Sequence, residues 1–247
     1  MLALAVLAAA VAGGCPQNLA SSLDTQTSAR QLITVEARVA STTHATLRTW
    51  RRPGRCWLPV AGPYAARVGR KGVSASREEG DGTTPTGTYA IGRTMYGNAP
   101  NPGVRFQYRR LRCGDWWAED PGSPTYNSFQ HVPCGKKPPF AGSSEGMWEQ
   151  PGAYPYLAVV EFNMRPVVPG RGSGIFLHAQ TGGPTNGCIS LRRDQLRSVL
   201  RWLRPAAAPV IAIGTSRQLG NAHNLSRHRE RSRLMFRAAR RAVTQDG

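Results

Sequence analysis

A single short segment holds a histidine and a cysteine whose spacing suits acyl transfer by a thiol. In Gly174-Ile175-Phe176-Leu177-His178-Ala179-Gln180-Thr181-Gly182-Gly183-Pro184-Thr185-Asn186-Gly187-Cys188-Ile189-Ser190-Leu191, the histidine ends an apolar run, a Gly-rich turn follows, and the cysteine comes directly after a glycine. A thiol attacks carbonyls as its thiolate, and a free pKa of about 8.5 means that it needs help at neutral pH. An imidazole supplies that help, a strand holds the ring in place, and a glycine beside the nucleophile lets backbone amides approach a developing oxyanion. His178 and Cys188 are ten residues apart, so one loop can fold the cysteine back against the strand that ends in the histidine. Taken singly, each residue type more often fills a core. Together they point to a Cys–His site.

The elements that must position this pair read as strands. A chain of 247 residues with 40% hydrophobic content can bury the core of one catalytic domain with short extensions. With 27 glycines, 19 prolines and only 19% charged residues, the composition favours short strands and tight turns, hence a mainly β fold. Strand-like pieces run from Ala45 to Trp50, Cys56 to Val60 and Tyr64 to Val68. The turn-forming run from Gly80 to Gly87 feeds a strand at Thr88 to Ile91. Tyr156 to Phe162 and Gly174 to His178 read as buried strands, and Val210 to Ile213 as a last one. One helix is predicted from Asp194 to Arg204, because Leu196, Val199, Leu200 and Leu203 share a face, Asp194 suits the amide end and Pro205 stops it. It follows Cys188 closely enough to brace the site.

Four regions follow from the pattern. Residues 1–14 are export-signal-like, with an apolar run to Val11 and then small residues. Ala12-Gly13-Gly14-Cys15 also approaches a lipobox, which would make the protein a lipoprotein anchored through Cys15. Residues 15–44 are expected to be a linker or to hold one N-terminal strand around Leu32 to Val35, with deletion tolerated. Residues 45–215 form the catalytic domain. Residues 216–247 carry eight arginines and are expected to be a disordered basic tail or an amphipathic helix.

The five cysteines include no C-x-x-C pair, which argues against a zinc ribbon or a thioredoxin-like site, and no metal or cofactor is expected. Cys113 and Cys134 bracket a Trp-, Pro- and Gly-rich stretch, read as a long irregular loop that a disulfide would hold. Cys56 either pairs with Cys15 or stays a thiol. The net charge of +18 favours anionic partners such as acidic wall polymers or a membrane surface, reached through the basic tail. Nucleic acid is not expected, for want of any recognisable motif.

The segment around Cys188 resembles the L,D-transpeptidase (YkuD-type) family, whose signature is a His, a spacer, then Ser/Thr-His-Gly-Cys, an apolar residue, and Asn or Arg. His178, Thr185, Gly187, Cys188 and Ile189 match. Thr84-Pro85-Thr86-Gly87-Thr88-Tyr89 looks like the family's Thr-Pro-x-Gly-x-aromatic strand entry. Asn186 departs from it, standing where a second histidine is usual, and can donate hydrogen bonds but not shuttle a proton. Ser190 stands where Asn or Arg is common and cannot clamp a carboxylate as Arg does.

The resemblance implies a β-sandwich or barrel with one bracing helix after the catalytic cysteine. It implies a Cys188–His178 ion pair or near pair, with the Ala179 carbonyl orienting the ring and the amides of Gly187 and Cys188 holding the oxyanion. It further implies cysteine-dependent acyl transfer on peptidoglycan stem peptides, with L,D-transpeptidation or L,D-carboxypeptidase trimming as outcomes. Asn186, Thr185, Ser190 and Arg171 are the expected substrate contacts, Arg171 toward a carboxylate. A papain-like or NlpC-type endopeptidase would place its cysteine before its histidine, the reverse of the order here. The alternative from another class is a non-catalytic, exported wall- or polyanion-binding protein in which Cys188 is silent.

Overall fold

The computed structural model describes residues 14–23, 28–140 and 144–219. The expected export signal and almost all of the basic tail lie outside these residues. The chain opens with β1 (Gln31–Ala37), β2 (His44–Arg51) and β3 (Leu58–Arg67), followed by the short strands β4 (Val73–Ser74) and β5 (Thr84–Pro85). The long strand β6 (Gly87–Gly97) leads into β7 (Gln107–Arg110), and then into β8 (Asp115–Ala118), β9 (Ser128–His131) and β10 (Glu145–Gly146). The rest is β11 (Leu157–Val160), β12 (Phe176–Ala179), β13 (Ile189–Leu191), the helix α1 (Arg193–Trp202) and β14 (Val210–Thr215).

Nine strands form one sheet in the order β11-β12-β13-β3-β2-β1-β14-β6-β7, and β11 also pairs with β6. That last pairing closes the sheet into a barrel-like ring and leaves β7 as an added edge. Closure explains the strand sequences. β11, β12 and β14 are apolar runs, buried on both faces except at the very end of β14, as strands covered on both sides must be. Ile33, Val35, Leu47, Leu177, Ile189, Leu191 and Ile213 pack into one core together with Leu196, Val199, Leu200 and Leu203. The helix that carries Leu196, Val199 and Leu200 spans 193–202 and is capped by Leu203, slightly shorter than the span predicted for it.

The region expected as a linker or N-terminal strand supplies β1. This strand is central, parallel to β14 on one side and antiparallel to β2 on the other. Leu32 and Thr34 face away from the main core, where Trp50 donates its indole N–H to Thr34 Oγ1 at 3.0 Å. The tolerance to deletion expected for this region does not fit a strand buried in the middle of the sheet.

Cys15 pairs with Cys56. A sulfur bonded in this way cannot carry a lipid thioether, so this structure does not accommodate the lipobox reading. Cys113 pairs with Cys134, at the two ends of a β8–β9 hairpin. The bracketed stretch, expected to be irregular, is therefore ordered: β9 and β10 flank β8 in a three-stranded sheet. None of the described helices is long and apolar enough to cross a membrane.

Candidate active site

Parallel pairing of β12 with β13 builds the site, placing His178 opposite Ser190 and Leu177 opposite Ile189. Alternation then sends Leu177, Ile189 and Leu191 into the barrel core and leaves Phe176, His178, Cys188 and Ser190 on the other face. Phe176 is buried there among Trp117, Tyr154 and Leu157, while His178, Cys188 and Ser190 meet a cleft of about 570 Å3, whose wall includes Tyr154, Thr185, Asn186, Arg70 and Arg77. The loop from Thr181 to Gly187 is held from below. Thr185 donates its amide to Val68 O at 3.0 Å, and its carbonyl accepts the Arg70 amide at 2.7 Å.

Cys188 is the one cysteine outside the disulfides. Its Sγ accepts the Phe176 amide at 3.3 Å and donates to Gly174 O at 3.2 Å. His178 is 6% exposed, and its Nδ1 lies 2.8 Å from the Ala179 carbonyl, the oxygen assigned to orienting the ring. An Nδ1–H donated there leaves the Nε2 lone pair free to act as a base. The Tyr154 ring packs edge-on against the imidazole, with centroids 5.3 Å apart.

Of the expected ion pair or near pair, the electrostatics favour the uncharged forms. Burial, then the nearby Glu145, pushes the Cys188 thiol up from its ordinary range, against smaller opposing effects of the Phe176 amide and Arg77. Burial lowers His178 to about 4, more than its backbone hydrogen bonds to Ala179 and Ala153 raise it. At neutral pH the resting pair is thus a thiol beside a neutral imidazole. Burial disfavours the charged form of each group more than its hydrogen bonds favour it.

The backbone around the nucleophile is also pre-committed. Gly187 donates its amide to Thr185 Oγ1 at 3.2 Å, and that hydroxyl donates to the Cys188 carbonyl at 2.6 Å. Thr84, from the Thr-Pro block, donates a second hydrogen bond to this carbonyl at 3.3 Å. Both expected oxyanion amides are present, but that of Gly187 is shared with Thr185. Gly187 has φ +143 and packs against the Arg77 guanidinium, so a Cβ there would meet Arg77 Nη1 as well as suffer backbone strain.

Arg171 is exposed and lies outside the cleft wall, because the Val168–Arg171 turn carries it outward before Ser173 and Gly174 return to the cleft. The guanidiniums that do line the wall are those of Arg70 and Arg77. Arg70 donates to Asn186 Oδ1 at 3.2 Å, which fixes that side chain. Arg77, 5% exposed, pairs with Asp81 at 3.2 Å and also donates to the carbonyls of Thr83 and Asn186. Ser190 is 1% exposed, and its hydroxyl has no hydrogen-bond partner among the described residues.

Sequence reasoning missed the acidic side of this cleft, formed by Glu79, Glu119, Glu145 and Glu149. They come from elements far apart in the chain, and no local spacing links them. The one available signal was the disulfide bracket, which marks the hairpin whose connecting loop begins at Glu119. Among the described residues, no three metal-binding side chains are grouped so as to hold an ion.

A family model, YkuD, described as the L,D-transpeptidase catalytic domain, matches residues 37–211. That span covers well over half of the chain. The chain belongs to the YkuD family. YkuD domains generally are cysteine-dependent L,D-transpeptidases, so at family level this one carries peptidoglycan cross-linking chemistry. YkuD proteins are typically extracytoplasmic, and two disulfides fit that setting. No curated protein and no solved structure matches the chain.

Proposed function

We propose that this YkuD domain transfers acyl groups between peptidoglycan stem peptides through a thioester on Cys188. The observation that carries the reading is the juxtaposition, in one cleft, of the sole free thiol with an imidazole whose Nδ1 is tied to the Ala179 carbonyl.

The environment favours general-base activation over a standing ion pair. As Sγ closes on the carbonyl of the third stem residue, a diamino acid, its proton leaves Gly174 O for His178 Nε2. The Phe176 amide stabilises the charge developing on sulfur. The Cys188 amide receives the oxyanion, joined by that of Gly187 as its 3.2 Å bond to Thr185 loosens; each donor is worth about 3 kcal/mol. The imidazolium then protonates the departing D-alanine amine, leaving the thioester. A side-chain amine from a second stem resolves it to a cross-link, and water resolves it to a trimmed stem. Asn186, Thr185 and Ser190 line the path of the substrate, and its carboxylate is drawn to Arg70 or Arg77 rather than to Arg171. The active form is exported and works on the wall.

Intact mass spectrometry with a tetrapeptide stem donor tests this. The wild-type protein should gain one acyl group on Cys188, Cys188→Ala should gain none, and His178→Ala should acylate roughly 100- to 10,000-fold more slowly. Turnover by Cys188→Ala would remove the assignment.

A further inference from the structure

The chain has 14 acidic residues against 32 basic ones, yet four glutamates gather in the cleft that holds the nucleophile. The hairpin sheet puts two of them there, Glu119 and Glu145. Glu145 stands opposite Trp117 across β10 and β8, and Glu119 lies two residues beyond Trp117. The Glu119 carboxyl rests against Gly174, whose φ of +60 and missing Cβ make room for it. The Gly174 carbonyl is also the partner of the thiol, so Glu119 and Sγ flank the same residue.

The other carboxyls are anchored. Tyr154 donates its hydroxyl to both oxygens of Glu145, at 2.9 and 2.8 Å. Glu79 accepts from Ser173 Oγ at 2.6 Å and from the Tyr126 hydroxyl. Two buried polar atoms of cleft residues, Ser190 Oγ and Arg77 Nε, have no hydrogen-bond partner among the described residues. A cleft with anchored carboxyls gathered beside the nucleophile suits a polar ligand that carries a positive charge.

We propose that Glu79, Glu119 and Glu145 form a binding site for the ammonium group of the amine acceptor, with Glu119 taking the first proton as that amine attacks the Cys188 thioester. This rests on the acyl-transfer reading above. The acceptor enters as an ammonium and gives one proton to Glu119. Its freed lone pair forms the C–N bond, and the C–S bond breaks as the tetrahedral intermediate collapses. The second N–H proton passes through His178 to sulfur, restoring the thiol, and Glu119 releases its proton to solvent. Burial, then Glu145 and Glu79, raises Glu119 to about 8, against a smaller opposing effect of Arg77. An incoming cation offsets those effects and ionises the carboxyl. The cleft also holds Glu149, Tyr154, His178, the thiol and the guanidiniums of Arg70 and Arg77; of these cations, Arg77 is the one that acts on Glu119, and it is already paired with Asp81.

The test uses the full chain, a tetrapeptide stem donor, and as acceptor a tripeptide stem ending in a diamino acid. Two readouts are followed: the Cys188 acyl adduct by intact mass, and the ratio of cross-linked to hydrolysed product. Glu119→Gln should still show the adduct, while the ratio falls about tenfold or more and the acceptor KM rises. Glu119→Asp should recover part of the ratio, which a purely structural role would not. Glu145→Gln gives a second reading of the same wall should Glu119→Gln fold poorly. A ratio within twofold of wild type in the variants that fold overturns the proposal, as does slower acylation with the ratio unchanged, which would place the carboxyls at the donor. Hydrolysis alone from wild type at high acceptor concentration also overturns it. Absence of the adduct from wild type defeats the acyl-transfer reading itself, a separate result.

Discussion

His178 is a buried base whose proton balance reaches beyond catalysis. Burial holds it at about 4 in the fold, against 6.5 for the free side chain. An unfolded chain therefore binds a proton below pH 6.5 that the folded one refuses until pH 4. Stability contributed by the neutral ring is complete above pH 6.5 and is lost as the pH falls toward 4, at a total cost of about 3 kcal/mol. Urea midpoints of wild type and His178→Gln between pH 7 and pH 4 check this: the variant should lose about 3 kcal/mol less than wild type over that range. An equal loss in both would show that the ring does not carry the effect. Catalysis follows the same proton. Acylation should fall as the pH drops through about 4, well below the point at which an exposed histidine would stop acting as a base.

Among the elements, the hairpin closed by Cys113 and Cys134 joins stability to chemistry, because it carries Glu119 to the cleft. A bridge across 21 residues contributes about 3 kcal/mol by restricting the unfolded chain. Replacing both cysteines with serine should lower the melting temperature and also reduce the share of cross-linked product. Unchanged partition in a destabilised variant would uncouple the hairpin from acceptor choice. This hairpin was poorly legible in the sequence. Its strands are four residues long, the turn between them is rich in Pro, Gly and Ser, and β10 pairs with β8 across some thirty residues of chain. Local patterns do not encode such pairings. β13 was missed for a similar reason, being three residues directly after a loop. The apolar runs that became β11, β12 and β14 and the alternating pattern of β2 were readable, as was α1 from its stripe of leucine and valine. In the site, the histidine and cysteine were legible because one loop joins them. Arg77, Tyr154 and the glutamates were not, since only the closed sheet brings them to one cleft. β1 was half legible: its strand pattern showed, its central place did not. Deleting residues 31–37 removes a strand paired on both sides, and should leave no cooperative unfolding transition in circular dichroism. A folded, active truncated protein would restore the linker reading.

At the scale of the whole molecule, charge is distributed in a way that the fold itself does not need. The segment from Ser216 to Gly247 has eight arginines against Glu230 and Asp246, so it holds +6 of the +18 and leaves +12 on the rest. The cleft opposes this trend with its four glutamates, so recognition of the polymer surface and recognition of the reacting amine make opposite electrostatic demands. A net charge of this size would draw the protein to an anionic polymer, an attraction screened over about 10 Å at 0.1 M salt. Acceptor binding inside the cleft is short-ranged and far less sensitive to salt. The two functions should therefore separate. Truncation after Leu219, which keeps that buried side chain in the core, should weaken retention on an acidic polymer matrix and flatten its salt dependence without abolishing either, because +13 remains. It should leave cross-linking of small soluble stems close to wild type, since no cleft residue lies beyond Ser190. Elution in a salt gradient, run beside turnover on soluble stems, measures both. Equal retention with and without the tail would assign the wall affinity to the folded domain alone. A parallel loss of turnover on soluble stems would mean that the basic segment acts at the cleft and not at the polymer.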